Sequence, residues 1–223
     1  MAIFDRIADS YDSWYLTKLG SFVDKVETDL AFSMFGLYPG MKVLDVGCGT
    51  GNFSIKLAQQ GCKVIGIDIS DEMLDIARQK AKESGLDIEF YNMDVYKLGF
   101  EDGQFDAAFS MAAFEFIEKP RTALEEMMRV VKDGAQVFVG TISGDSKWGQ
   151  LYMSEPLRSN SVFKYACFKT LEDLKKLNPE KLVKSGQCLF LPPEVKEDEI
   201  TMEMEMQLSK TEKGGYICAL WSK

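Results

Sequence analysis

No histidine occurs anywhere in the 223 residues, and that absence excludes more chemistry than any other feature of the composition. Without an imidazole there is no Ser/His/Asp or Cys/His triad, no HExxH zinc site, and no side chain whose ordinary pKa lies near neutrality. Proton chemistry must use a carboxylate, phenol, thiol, amine or water. Paired cysteines are also missing. The five thiols at 48, 62, 167, 188 and 218 are odd in number and form no CxxC, so neither a disulfide framework nor a zinc site is expected. Long apolar runs are absent too, since the longest uncharged stretch, Leu30 to Met41, is too short to span a bilayer. Asp5, Arg6, Asp9 and Asp12 interrupt the place where a signal peptide needs an apolar segment, and a cytoplasmic location is expected. Positive charge is in deficit, 26 Lys+Arg against 35 Asp+Glu for a net of −9. The scattered basic residues weigh against nucleic-acid binding, which needs them clustered.

What is present is a soluble α/β pattern. Phe4, Ile7, Ala8, Tyr11 and Trp14 fall on one helical face, and Phe22, Val26 and Leu30 form a second stripe. Beyond the turn Tyr38-Pro39-Gly40, short apolar runs alternate with amphipathic segments, the βαβ rhythm of a parallel sheet. Strands are predicted at Lys42 to Val46, Lys63 to Ile69, Ile88 to Met93, Phe105 to Met111 and Ala135 to Ile142. Helices are predicted at Asn52 to Gln60, Asp71 to Ser84, capped by Ser70, and Pro120 to Lys132, stopped by Gly134. The aromatic stretch from Ser143 to Phe168 has no clear period, and Leu171 to Leu182 reads as helical. Three further strands are expected at Gln187 to Leu191, Ile200 to Leu208 and Tyr216 to Trp221, with either of the first two free to pair with the last.

The chemistry concentrates in Val43 to Ser54, VLDVGCGTGNFS, an apolar strand entering a glycine-rich turn that opens a helix. Gly47, Gly49 and Gly51 permit positive φ and close backbone approach, as an adenosine-containing ligand requires. The GxGxxG of a dinucleotide fold would place its third glycine where Asn52 stands. Asp45, just before the turn, would oppose a pyrophosphate but suit a cationic group. An NAD(P) oxidoreductase is thereby disfavoured, although the distance from the turn to Asp68 alone fits either ligand.

VLDVGCGTG resembles the first motif of the class I S-adenosylmethionine-dependent methyltransferases, close to the small-molecule branch of the ubiquinone and menaquinone biosynthesis enzymes. The resemblance runs over about residues 36 to 143. Tyr11-Asp12-Ser13-Trp14-Tyr15, FKTLEDLKKL and the closing ICALWSK also resemble the lid element, the post-core helix and the final strand of that branch. It implies a Rossmann-like fold, a mostly parallel seven-stranded sheet with an antiparallel C-terminal strand and helices on both faces. The implied organisation is one domain: 1–35 a helical lid, 36–143 the cofactor core, 144–185 a cap and acceptor segment, and 186–223 the C-terminal strands.

It also implies S-adenosylmethionine as cofactor and S-adenosylhomocysteine as product. Asp45, Gly47, Cys48, Gly49 and Gly51 would form the cofactor turn. Asp68, with Ile69 and Met73 beside it, would hold the ribose, and Asp94 and Val95 the adenine. Ser110 and the residues after it would face the methionine arm, and Tyr11 and Trp14 the sulfonium. In several relatives the segment after the fourth strand carries histidine; here it reads Phe114-Glu115-Phe116. That leaves Glu115, its pKa raised by burial, or Tyr11 as candidate base.

The acceptor is expected to be a partly apolar or planar small molecule, walled by the N-terminal helix and the aromatic segment Trp148 to Phe168. Lack of histidine favours acceptors already reactive near neutral pH, such as thiolates or enolate-like carbons. The alternative is a non-catalytic regulatory module that binds the same cofactor.

Overall fold

The computed structural model describes residues 3–223. Its N-terminal part is not one continuous helix: 3-10 turns at Asp5–Ile7 and Asp12–Leu16 flank a single α-turn, α1 (Ala8–Tyr11). After Thr17, whose hydroxyl accepts the Gly20 amide, α2 runs over Lys18–Met34 and buries Val23, Val26, Ala31 and Met34.

The sheet follows in chain order: β1 (Lys42–Val46), α3 (Asn52–Gln59), β2 (Lys63–Asp68), α4 (Asp71–Glu83), β3 (Glu89–Asn92), β4 (Phe105–Met111), α5 (Pro120–Val130), β5 (Val131–Ile142), α6 (Lys147–Met153), α7 (Leu171–Lys175), β6 (Leu182–Cys188), α8 (Met202–Leu208) and β7 (Tyr216–Ser222). The strand order is β3-β2-β1-β4-β5-β7-β6, and β7 runs antiparallel to both of its neighbours. Central strands read as near-continuous apolar runs because both sheet faces are covered. One face packs α2 and α3 through Phe35, Phe109 and Phe138; the other packs α5 through Leu124, Met127 and Trp221. Each such fully buried side chain contributes about 1.5 to 3 kcal/mol.

Chain progression reverses between β1 and β4, so a crevice opens at their C-terminal ends. This places the strand–turn–helix motif at its mouth.

Four expectations are corrected. The helix from Pro120 stops at Val130, because Val131 pairs with Phe105 and begins β5; Gly134, at φ 76°, is a kink within the strand. The helix from Leu171 ends at Lys175, short of Pro179, which lacks the amide a longer helix needs. β6 comes earlier than predicted, and it alone pairs with β7 on that side; positive φ at Leu189 ends its run. Ile200 to Leu208 is helical rather than extended. Thr201 caps α8 by accepting the Met204 amide, and Met and Glu are good helix formers whatever their alternation. In this helix the buried Glu205 carboxylate accepts the Phe190 and Leu191 amides and holds the turn after β6. Among the described residues no helix is long and apolar enough to cross a membrane.

Candidate active site

The turn between β1 and α3 is held by backbone bonds to β2: the Gly47 and Cys48 amides both donate to the Ile67 carbonyl, at 2.8 and 2.9 Å. Three consecutive odd positions, Gly47, Gly49 and Gly51, have positive φ. Their reasons differ. A Cβ at Gly47 would lie 2.5 Å from that of Ala113, and one at Gly51 3.0 Å from that of Ala77, so these two glycines serve packing. A Cβ at Gly49 would meet no protein atom within 4 Å, and Gly49 borders a cavity of about 190 Å³. The turn is thus a cradle whose floor is backbone.

Asp68, at the end of β2, orders this cradle. One carboxylate oxygen accepts the Gly49 amide and the other the Ser70 amide, both at 2.9 Å. Burial pushes its pKa up, against the pull of those amides. Asp45 is 1% exposed; burial raises its carboxyl to about 7, although Ser54 Oγ donates to it at 2.6 Å. In a chain without histidine, a carboxyl has become the group poised at neutrality. At the far end of the cavity Asp94 accepts the Tyr96 amide, beside Val95.

The structure therefore gathers Tyr11, Asp45, Gly47, Cys48, Gly49, Asp68, Ile69, Met73, Asp94 and Val95 around one space. Gly51, Ser110 and Trp14 stand elsewhere. Gly51 caps α3 outside the cavity lining. Ser110 is wholly buried and ties β4 to β1 by donating to the Val46 carbonyl; the residues that reach the cavity from this segment are Met111, Ala112, Ala113 and Phe116. Trp14 lines a second cavity, of about 380 Å³.

The second cavity adjoins the first across Phe4, Tyr11, Tyr15, Ala112 and Phe116, which border both. Ala112 holds a left-handed backbone (φ 54°) at this junction, its amide donating to the Tyr216 hydroxyl at 2.8 Å. For a residue with a Cβ this is a strained conformation, of the kind that clusters at functional sites. Further walls include Trp148, Tyr152 and Phe163 and two carboxyls, Glu27 and Glu115. Glu115 is buried, with Thr141 Oγ1 donating to it at 2.7 Å; burial raises its pKa, as expected from its phenylalanine neighbours, while Lys169 opposes the shift. Burial also raises the Tyr11 phenol far above neutrality, which makes it a hydrogen-bond donor and a poor base at physiological pH.

Sequence reasoning missed two contributors. Asp12 accepts from Thr50 Oγ1 at 2.9 Å, Asn52 Nδ2 at 2.8 Å and Lys80 Nζ at 2.6 Å, clamping the N-terminal segment onto the glycine turn. Ser70 Oγ adds a bond to Asp5 at 2.7 Å. Nothing local announces these pairings, which cross 38 residues or more. Glu27 did leave a signal, since it lies four residues from both Val23 and Ala31 on the buried face of α2.

Comparison with known proteins agrees with this geometry. Residues 44–139 match the family described as a methyltransferase domain. A crystal structure from Thermotoga maritima, described as a SAM-dependent methyltransferase and possible histamine N-methyltransferase, superposes with a TM-score of 0.73 at 25% identity, covering 99% of this chain and 98% of that one. The chain belongs to the class I S-adenosylmethionine-dependent methyltransferases. Ubiquinone biosynthesis O-methyltransferase of Erwinia tasmaniensis is 38% identical over 113 residues, 50% of this chain and 46% of the relative. An uncharacterised protein of Methanocaldococcus jannaschii is 28% identical over 193 residues, 85% of this chain and 86% of that protein. The chain thus spans about half the length of the ubiquinone relative in its alignment. S-adenosylmethionine is the cofactor of this methyltransferase and S-adenosylhomocysteine its product, and the open backbone cradle at Gly49 between the Asp45 and Asp68 carboxyls fits a ligand that carries an ammonium and a ribose.

Proposed function

We propose that this methyltransferase transfers a methyl group to a small-molecule acceptor held in the second cavity. The observation that carries the reading is the meeting of the two cavities across Tyr11, Ala112 and Phe116 at the C-terminal ends of the central strands. Bound in the first cavity, S-adenosylmethionine supplies an electrophilic methyl group on a sulfonium. Asp68 binds the ribose hydroxyls, Asp94 and Val95 take the adenine, and Asp45 with the Gly47–Gly49 backbone takes the charged end.

Alignment and exclusion of water are the chain's main catalytic contributions, worth on the order of 7 to 11 kcal/mol in well-oriented reactions. Residues 1–35 act as a lid: Tyr11 and Tyr15 close over the junction, and Asp12 latches them to the core. Residues 144–185 wall the acceptor side, and their aromatic faces suit a partly apolar or planar molecule. Glu115 is one of two carboxyls there able to take a proton. The five free thiols suit a reducing compartment, and we place the enzyme in the cytoplasm.

Incubation with methyl-labelled S-adenosylmethionine and a library of small metabolites should yield S-adenosylhomocysteine in step with a labelled product. Tight binding of S-adenosylmethionine with no turnover across O, N, S and C nucleophiles would instead make the chain a binding module.

A further inference from the structure

The acceptor cavity holds a charge imbalance that the methyltransferase reading leaves unexplained. Two carboxyls line it, Glu27 and Glu115, and among the described residues no lysine or arginine does. Glu115 has compensation, a hydrogen bond from Thr141 and the nearby Lys169 ammonium. Glu27 lacks such a hydrogen bond; burial and the neighbouring Asp24 and Glu115 carboxyls raise its pKa well above the ordinary value, and only the pull of Lys56 opposes them. It is 8% exposed, and its carboxylate has no hydrogen-bond or ion-pair partner among the described residues. The nearest cation, Lys56, is committed to Asp24 and to Thr28 Oγ1. A buried carboxylate left in this state is destabilising, because its desolvation is not repaid by a partner. Such a cost persists in a cavity wall when a ligand provides the missing charge.

The rest of the wall suits the same ligand. Trp14, Tyr15, Trp148 and Tyr152 line the space, and aromatic rings attract cations and stack on planar groups. Trp14 and Trp148 meet edge to face at 6.5 Å, and Tyr152 stacks on Phe163 at 4.1 Å, so the walls are fixed by packing. A cavity of about 380 Å³ is at the small end for organic ligands. The same carboxyls repel anions when ionised and offer them no positive charge when neutral, which argues against the thiolate and enolate acceptors expected from the lack of histidine alone.

We propose that the methyl acceptor is a small primary or secondary amine bearing a planar apolar group, with Glu27 receiving its ammonium and the aromatic walls its planar part. The proposal rests on the methyltransferase reading and names its substrate class. The amine enters protonated and gives one proton to a cavity carboxylate, which frees the nitrogen lone pair. That pair forms the new N–C bond while the electron pair of the methyl–sulfur bond stays on sulfur. The positive charge passes from the sulfonium to the methylated nitrogen, and a proton then leaves to water.

The test is calorimetry on the full chain, with and without saturating S-adenosylhomocysteine, titrating phenethylamine, tryptamine and the neutral isostere 2-phenylethanol. Both amines should bind at least tenfold more tightly than the alcohol. Glu27→Gln should remove at least tenfold of amine affinity while leaving that of S-adenosylhomocysteine within about twofold. The ligand-free variant should melt at or above the wild-type temperature, because a carboxyl that burial penalises on ionisation has gone. Equal binding of amine and alcohol, no binding of either amine, unchanged amine affinity in Glu27→Gln, or a lower melting temperature for that variant would each overturn the proposal. Failure of S-adenosylhomocysteine to bind the wild type would count against the methyltransferase reading instead, and the amine titrations of the ligand-free chain would still decide this one.

Discussion

The two cavities share a wall but are built in opposite ways. The first cavity has a floor of backbone and carboxylates at strand ends, mostly between Asp45 and Tyr96, and is closed by Met111 to Ile117 and by the N-terminal segment. The second cavity, proposed above to hold the acceptor, is made of side chains from separate segments: the N-terminal turns, α2, the turn after β4, the aromatic segment 148–163 and the strand ends at 189 and 215–216. A backbone-built site is written in spacing and glycine, and it survives change elsewhere in the chain. A site built of side chains changes with any one of its contributors. The methyltransferase match accordingly covers 44–139 and stops before the aromatic segment.

The sharpest way to break the contrast is within the glycine turn itself. Gly47→Ala should cost about 3 kcal/mol of folding stability, from a left-handed backbone and an overpacked contact with Ala113. Gly49→Ala, with no protein atom to meet, should cost about 1 kcal/mol of stability and show its main effect as weakened S-adenosylmethionine binding. Urea melts together with calorimetry separate the two; equal stability losses would mean the cradle is not shaped as described.

Next in size, Asp68→Ala should weaken S-adenosylmethionine binding roughly a hundredfold, about 2.7 kcal/mol, through lost charge-assisted bonds to ligand and loop. Amine binding to the ligand-free chain should be untouched. Loss of both affinities together would show the cavities to be one unit rather than two.

The third prediction concerns pH. Asp45 titrates at about 7 in the fold, against about 3.9 for a free Asp carboxyl, so the folded chain holds this proton more tightly than the unfolded one. Its stabilising effect is complete below the unfolded value and is lost as pH rises through the folded one. Lowering pH from about 7.5 to about 5.5 should therefore stabilise the ligand-free protein by about 2 kcal/mol from Asp45 alone. Glu27 and Glu115, also raised, act in the same direction. Only below about pH 4 should Asp106 and Asp173, whose pKa values are lowered by hydrogen-bonded partners, reverse the trend. Thermal melts of wild type and Asp45→Asn should show a shallower slope in the variant; identical slopes would remove Asp45 as the source.

Smallest, Asp12→Ala should cost about 1 kcal/mol, since the clamp to Lys80 is partly exposed. Its signature should be faster amide exchange at residues 8–16 with the sheet unaffected.

Legibility followed the same division. β1, β2 and β4 were readable within a residue because central strands bury both faces, and α4 because Ser70 caps it. The C-terminal third was misread where pattern and context disagree: the alternation of Met and Glu in 202–206 imitates a strand, while Glu205 is buried to hold amides of a turn fifteen residues away. Of the candidate site residues, Asp45 could be named from its place before the glycine turn, and Asp68 and Asp94 through the family resemblance; all three border the first cavity. Ser110 could not be placed, because whether a strand-end hydroxyl faces a cavity or a neighbouring carbonyl depends on the register of β4 against β1.

The sequence by itself determined the fold class, because the βαβ rhythm and a glycine-rich turn are written in local backbone geometry, and it pointed to the cofactor through the resemblance of that turn to a known family's first motif. Only the tertiary structure decided what lines the second cavity. Glu27, Glu115, Trp148 and Tyr152 converge from segments with no shared motif, and their meeting follows from how α2 and the aromatic segment pack over the end of the sheet. The missing histidine marks the line between the two: composition excluded the imidazole, and burial of Asp45 put a carboxyl at neutrality in its place.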